Sequence, residues 1–238
     1  MVFENLPDRA YSRYRVGTWQ LLGQLHAEDC YGVPTRVGFS TDTQLLALLY
    51  QHRHLRLVIP ETAAEVATFS VPVPQMISAA EFSPDGRYVA SCGDDNLARL
   101  WNAETGAEIR VFRGHKEGVK RAVFSPNGKV LATVSVDRHV KLWDVESGKL
   151  LRTLEGHDNL VDAAAFRGDG EFLATGDWSG VVRIWDAGTG AKRLTIAGYP
   201  GEVWSVAFQP DGQALVVAGS AHAVVYDLRP IDADSKKP

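Results

Sequence analysis

The chain has 238 residues, of which 45% are hydrophobic, and 25 Lys and Arg stand against 29 Asp and Glu for a net charge of −4. That length and apolar content suffice for the core of one all-β domain or two smaller domains, while the charge excludes a basic nucleic-acid tail and an acidic disordered one. The two cysteines, Cys30 and Cys92, sit in no CxxC or CxxH pattern, which excludes a disulfide framework and the usual zinc spacings and fits a reducing compartment.

The first sixteen residues have no apolar core ahead of a small-residue cleavage site, so they do not read as a signal peptide. The longest apolar runs, Leu45–Tyr50 and Ala214–Gly219, are far shorter than the ~20 residues of a membrane-spanning helix. A cytoplasmic protein without a membrane partner is therefore expected.

Repetition decides the fold class. Phe82-Ser-Pro-Asp-Gly86 returns as Phe124-Ser-Pro-Asn-Gly128, Phe166-Arg-Gly-Asp-Gly170 and Phe208-Gln-Pro-Asp-Gly212, each step being 42 residues. Trp101-Asn102, Trp143-Asp144 and Trp185-Asp186 keep the same step, as do Gly114-His115, Gly156-His157 and Gly198-Tyr199. A weaker copy begins near Phe39-Ser-Thr-Asp-Thr43, and Asp8–Val16 aligns to Asp137–Val145 with Tyr14 in the Trp143 place.

Within one period four short strands are expected, at Val119–Phe124, Val130–Val134, Val140–Asp144 and Leu150–Leu154. Asn127-Gly128 joins the first two, because Asn-Gly and Asp-Gly supply the positive φ that tight hairpins need. Ser147-Gly148 and Thr189-Gly190 punctuate the third and fourth strands. One such sheet cannot bury both faces alone, so neighbouring copies must stack.

This tandem resembles the WD40-repeat family, and its copies resemble bacterial-type WD repeats. The residues that carry the likeness are Gly114-His115, Phe124–Gly128, Ser135-Val-Asp137 and Leu142-Trp143-Asp144. The resemblance implies an all-β fold, a β-propeller of four-stranded antiparallel blades. Copies at about 26–69, 70–112, 113–154, 155–196 and 197–230 give five blades in a single domain, 1–230, followed by a polar tail, 231–238. The last copy lacks a fourth strand. Trp19–Leu25 is expected to complete it and lock the ring; the alternative is that residues 1–25 are the remnant blade of a longer propeller. An incomplete ring would leave edges open to self-association.

The resemblance also implies a structural hydrogen-bond network of Trp143, Ser135, His115 and Asp137 inside one blade. A buried indole and a buried imidazole each need partners, and an orphan costs ~1–3 kcal/mol. Only the 113–154 copy carries the full set. The 71–112 copy keeps Asp95 and Trp101 but has Val73 and Gly93 in the His and Ser places. The 155–196 copy has Ser179 in the Asp place, and the last copy has Tyr199, Ser220 and Tyr226. On that reading His115→Ala costs more than His157→Ala.

Rival chemistries are weak. A His-Asp-Ser hydrolase set lacks a nucleophile elbow. His52 and His54 share a strand face but have no third metal ligand nearby. Gly188-Thr-Gly-Ala-Lys192 lacks the phosphate-loop spacing and falls on a hairpin. Lys116, Lys120, Arg121 and Arg138 form a small basic group that Asp158, Asp162 and Asp169 offset, so it reads as a solvated face rather than a nucleic-acid track. No catalytic residue, cofactor or metal is assigned. The expected function is a non-enzymatic scaffold that docks a protein or peptide on the loop face; the alternative is a propeller enzyme or ligand-binding protein with a site at the central channel. From the family's geometry, the docking residues are Met76, Lys120, Leu160, Asp162, Trp178, Glu202 and Trp204.

Overall fold

The computed structural model describes residues 2–5, 10–15, 20–26, 34–40, 45–50, 52, 54–59, 64–70 and 75–229. Five antiparallel sheets follow the five copies. They are β4 (Pro34–Phe39), β5 (Leu46–Tyr50), β6 (His54–Val58) and β7 (Glu65–Ser70); β8 (Ile77–Phe82), β9 (Tyr88–Gly93), β10 (Leu97–Asn102) and β11 (Glu108–Arg113); β12 (Val119–Phe124), β13 (Val130–Ser135), β14 (Val140–Asp144) and β15 (Leu150–Leu154); β16 (Val161–Phe166), β17 (Phe172–Asp177), β18 (Val182–Asp186) and β19 (Lys192–Ile196); and the three-stranded β20 (Val203–Phe208), β21 (Ala214–Gly219) and β22 (Ala223–Asp227). Each is a simple meander in chain order. A further three-stranded sheet, β1 (Val2–Asn5), β2 (Ala10–Arg15) and β3 (Gln20–His26), precedes them.

The hairpin turns form where the sequence puts Asp-Gly or Asn-Gly. Gly86, Gly128, Gly170 and Gly212 all have φ between +70° and +77°, a region that an L side chain rarely adopts. Ser125 ties its turn shut: its hydroxyl donates to Asn127 Oδ1 at 2.8 Å and accepts the Val130 N–H at 2.9 Å.

Neighbouring sheets pack in series through their first strands, which are therefore innermost: β4 and β5 against β8, β8 and β9 against β12, β12 and β13 against β16, and β16 and β17 against β20. Each interface has its own apolar cluster. The repeat Trp of one blade faces the blade before it: Trp101 lies 5.1 Å from Phe69 and Trp143 5.7 Å from Phe112, ring centroid to centroid. Gly176 is required at the fourth interface, because a Cβ there would come within 2.3 Å of Val203 Cγ1.

The expected closing strand is not used that way. The strand β3 pairs with β2, and among the described residues β22 is bonded to β21 alone. Strands joined by short connections find each other before a partner some two hundred residues away, because the shorter loop costs less entropy to close. The pairing of β2 with β3 shifts register between Arg13 and Tyr14, and the same shift recurs at Leu100/Trp101, Leu142/Trp143 and Ile184/Trp185. In register, β1, β2 and β3 match the second, third and fourth strands of the later sheets. Trp19 itself lies outside the described residues.

Candidate functional site

In the 113–154 blade a hydrogen-bonded chain runs from the blade's side to its loop end. Trp143 Nε1–H donates to Thr133 Oγ1 at 2.8 Å. Thr133 Oγ1 is 2.8 Å from His115 Nε2, and His115 Nδ1 is 2.9 Å from Asp137 Oδ2. One tautomer satisfies every contact: Nδ1–H donates to Asp137, and Nε2 accepts the Thr133 hydroxyl. Burial opposes ionisation of Asp137, but His115 and the N–H groups of Lys116 and His139 outweigh it and hold the carboxyl well below its usual range.

Thr133, not Ser135, is therefore the link, which corrects the assignment of Ser135 to this chain. The Ser135 hydroxyl lies between the Glu117 and Gly118 carbonyls, at 3.0 and 2.9 Å, and accepts the Asp137 N–H at 3.1 Å. Thr133 and Ser135 share the Trp143 face of β13, but Thr133 stands two residues from Leu131, the Trp143 pairing partner, while Ser135 at the strand end braces the turn. All members of the chain are buried, Thr133 at 0% exposure. The Thr hydroxyl is enclosed between an indole and an imidazole, so no substrate reaches it.

The 155–196 blade builds the same chain from a rearranged sequence. Trp185 Nε1–H donates to Thr175 Oγ1 at 2.8 Å, Thr175 Oγ1 meets His157 Nε2 at 2.8 Å, and His157 Nδ1 meets Asp177 Oδ2 at 2.6 Å. Ser135-Val-Asp137 has become Asp177-Trp-Ser179. The carboxylate has moved to the strand end, and Ser179 donates its hydroxyl to Asp177 Oδ1 at 2.6 Å. Ser179 thus supports the Asp partner of His157 rather than replacing it. Arg183 joins the cluster, with Nη1 3.5 Å from Asp177 Oδ2 and 2.8 Å from His157 Nδ1. Burial pushes the His157 imidazole below its usual range; Asp177 opposes that shift and Arg183 adds to it.

The chain shortens towards both ends. In the 71–112 blade Trp101 Nε1–H donates to Ser91 Oγ at 2.8 Å, and Asp95 pairs with Arg99 at 2.6 Å; Val73 lies outside the described residues. In the last sheet the Tyr199 hydroxyl donates to the His222 carbonyl. His52 sits in a turn at φ +57°, and among the described residues no group of three or more His, Cys, Asp or Glu could hold a metal.

The residues expected from sequence to dock a partner are found at or beside the starts of the inner strands. In every inner strand the pairing slips by one residue at its start, at Pro34/Arg36, Ile77/Ala79, Val119/Arg121, Val161/Ala163 and Val203/Ser205. In the last four of these strands the skipped residues are Ser78, Lys120, Asp162 and Trp204, and a bulge of this kind re-aims a side chain out of the sheet's alternation. Lys120 Nζ lies 5.9 Å from the Trp178 ring centroid, and Trp178 Nε1–H donates to Asp162 Oδ2 at 3.2 Å. Trp204 Nε1–H donates to Glu202 Oε2 at 2.9 Å. Trp178 is half-buried, and neither tryptophan belongs to an inter-blade apolar cluster. Met76 is exposed and its N–H donates to Asp94 Oδ1 at 2.6 Å. Leu160 is half-buried beneath Trp178, whose N–H bonds its carbonyl at 3.1 Å. Lys120, Asp162, Trp178, Glu202 and Trp204 thus follow one another across three blades, with Met76 on the blade that precedes them.

The WD domain, G-beta repeat family matches the chain four times in tandem, at residues 65–102, 106–144, 148–186 and 190–227. The chain belongs to the WD40-repeat family. Each WD40 match covers the outer strand of one sheet and the first three strands of the next, so the sequence repeat ties neighbouring blades together. The last match stops at β22, the last strand among the described residues. A stretch of 41 residues is 49% identical to the Notchless protein homolog of Arabidopsis thaliana. It covers 17% of this chain and only 9% of that protein, about one repeat, so the likeness is one of repeats and not of whole proteins. WD40 membership gives the chain the character of a protein-interaction scaffold.

Two WD40 inner-strand residues join the rim from below. Arg121, read in the sequence as part of a solvated basic face, instead donates Nε–H to the Asp162 carbonyl and Nη2–H to the Trp204 carbonyl, both at 3.0 Å. It binds three successive blades at the free edges of their inner strands. Glu81 accepts the Phe124 N–H at 3.2 Å. Burial pushes its carboxyl up to about 7, against the pull of that N–H and of Arg121. Only position 81 carries an acid among Glu81, Val123, Ala165 and Ala207, and that break in the period was the signal available. A cleft of about 830 Å³ opens at the opposite end of the blades, beside Tyr88, Ile109, Arg110 and Glu146. Arg110 there donates to the Glu146 and Ser147 carbonyls of the next blade.

Proposed function

We propose that this WD40 chain is a non-enzymatic docking platform that holds a protein or peptide on its loop face, across Trp178 and Trp204. The single observation that carries the reading is Trp204: a large aromatic side chain 48% exposed at the rim, with its indole N–H fixed by Glu202. Tryptophan is enriched where interfaces draw their affinity, and the buried repeat tryptophans already fill the blade positions. Neither a nucleic-acid partner nor a membrane partner is part of the reading; the net charge of −4 supports the first exclusion, and among the described residues no helix is long and apolar enough to cross a membrane. A cytoplasmic setting belongs to the same reading, on two cysteines that sit in no CxxC or CxxH pattern.

Capture of a binding protein by the full chain tests the proposal. Trp204→Ala and Trp178→Ala are expected to weaken capture while the melting temperature moves little, as surface changes do. Loss of several degrees in both variants with capture intact would place these side chains in the fold rather than the interface.

A further inference from the structure

We propose that Trp204 is the seat of a basic side chain, Lys or Arg, presented by the docked protein; the inference rests on the docking reading above. The molecule contains its own precedent one blade away. Trp178 gives its N–H to Asp162 and carries the Lys120 ammonium over its ring. A carboxylate on the indole N–H leaves the ring face more electron-rich, and that face attracts a cation through its quadrupole. Trp204 repeats the first half of the arrangement, with its N–H on Glu202 at 2.9 Å. The second half is missing: among the described residues no Lys or Arg lies over its ring, and the side chain remains 48% exposed.

The seat is held rigidly. Trp204 occupies the bulge of β20 as Lys120 and Asp162 occupy those of β12 and β16. One guanidinium, that of Arg121, holds the Asp162 and Trp204 carbonyls, so the two bulges stand side by side. Arg121 spends its hydrogen bonds on carbonyls and Lys120 lies on Trp178, while Glu202 Oε1 makes no hydrogen bond among the described residues and Asp162 is adjacent. An incoming ammonium or guanidinium would find an aromatic face below it and a carboxylate beside it. Local net charge is balanced, so selectivity comes from this geometry and not from long-range attraction.

The test uses the full chain and two short capped peptides that differ only in one side chain, arginine in one and its uncharged analogue citrulline in the other, titrated into the millimolar range. Indole N–H signals are followed by NMR, and Trp204→Phe assigns the Trp204 signal. The arginine peptide should shift that signal saturably. Citrulline or Glu202→Gln should weaken binding about two- to fivefold, the range expected for one exposed cation–π contact. Lys120→Met should add a second responding signal, from Trp178. An unmoved Trp204 signal, or equal affinity for both peptides, overturns the proposal. If protein capture still depends on Trp204 while the two peptides bind alike, the docking reading stands and the basic seat alone falls.

Discussion

In the 113–154 blade the buried imidazole of His115 leans on Asp137, a turn residue. In the 155–196 blade the imidazole of His157 leans on Asp177, two positions nearer the strand. Donors, acceptors and lengths are nearly the same in both, yet the residues at matching positions are exchanged: Ser-x-Asp in one blade, Asp-x-Ser in the other. What is kept is a carboxylate within reach of Nδ1 and a hydroxyl bracing the turn. The difference lies in the surroundings. Among the described residues no arginine pairs with Asp137, whereas Asp177 also faces the buried Arg183 at 3.5 Å.

The largest expected effect follows from that arginine. Asp177→Ala leaves a buried guanidinium with only the exposed Asp158 carboxylate nearby, at 3.7 Å. Removing one partner of a buried pair costs about 3–5 kcal/mol. Asp137→Ala leaves an imidazole and two N–H groups unpaired and costs about 1–3 kcal/mol. Urea melts should order the variants this way; equal midpoints would mean that Arg183 does not depend on Asp177. The expectation from sequence that His157→Ala is the milder histidine change no longer holds, because both histidines have complete sets of partners. Each should cost about 1–3 kcal/mol.

A swap tests the exchange directly. Asp177→Ser and Ser179→Asp each disturb the 155–196 blade, and together they recreate the arrangement of its neighbour. Residues in one hydrogen-bond network couple by roughly 1–3 kcal/mol. The double variant should therefore be more stable than the sum of the single losses predicts. Strict additivity would show that the two positions do not share the carboxylate role.

The pH dependence separates His157 from Glu81, because their shifts have opposite signs. His157 has a lowered folded pKa, so its contribution is present above the ordinary histidine value and is lost as pH falls below about 6.5. Asp137 and Asp177, also lowered, add to that loss at more acid pH. Glu81, raised from 4.5 to about 7, contributes stability below its unfolded pKa and loses it as pH rises through 7. Glu81→Gln should match the parent near pH 5 and exceed it by about 1–2 kcal/mol at pH 8, a value discounted for partial solvent screening. A gain at pH 5 that vanishes at pH 8 would reverse the sign and refute the burial argument.

Much of this was legible in the period. The 42-residue step located the strands and the Asp-Gly and Asn-Gly turns; Trp178 and Trp204 were singled out from the geometry that the resemblance implies. It also misled. Reading positions strictly in register made Ser179 a lost acid, when Asp177 supplies the carboxylate from the neighbouring position. The pairing of β3 with β2 was not legible for a different reason: a choice between a near partner and one two hundred residues away leaves no local mark on the sequence. Its consequence is visible at the last sheet, where Val225 is 61% exposed while its counterpart Ile184 is 1% exposed beneath that sheet.

The smallest effect concerns the hydroxyl that was misassigned. A threonine inside a strand looks like ordinary β-propensity, so Thr133 drew no notice. Yet Ser91, Thr133 and Thr175 keep the 42-residue step, and each stands ten residues before a repeat Trp that bonds it. Val217, where the step continues, precedes Tyr226 instead of a Trp. The hydroxyl and the indole therefore come and go together, as a donor that needs an acceptor requires. Thr133→Val keeps shape and strand preference but strands two buried groups, Trp143 Nε1–H and His115 Nε2. Ser135→Ala removes an acceptor from one buried N–H, that of Asp137, and leaves carbonyls whose second lone pairs lessen the loss. Thr133→Val should be the costlier by about 1 kcal/mol, read as a difference in urea midpoints at unchanged slope. If Ser135→Ala proves the costlier, the chain runs through Ser135 after all, and the hydroxyl period at 91, 133 and 175 has another cause.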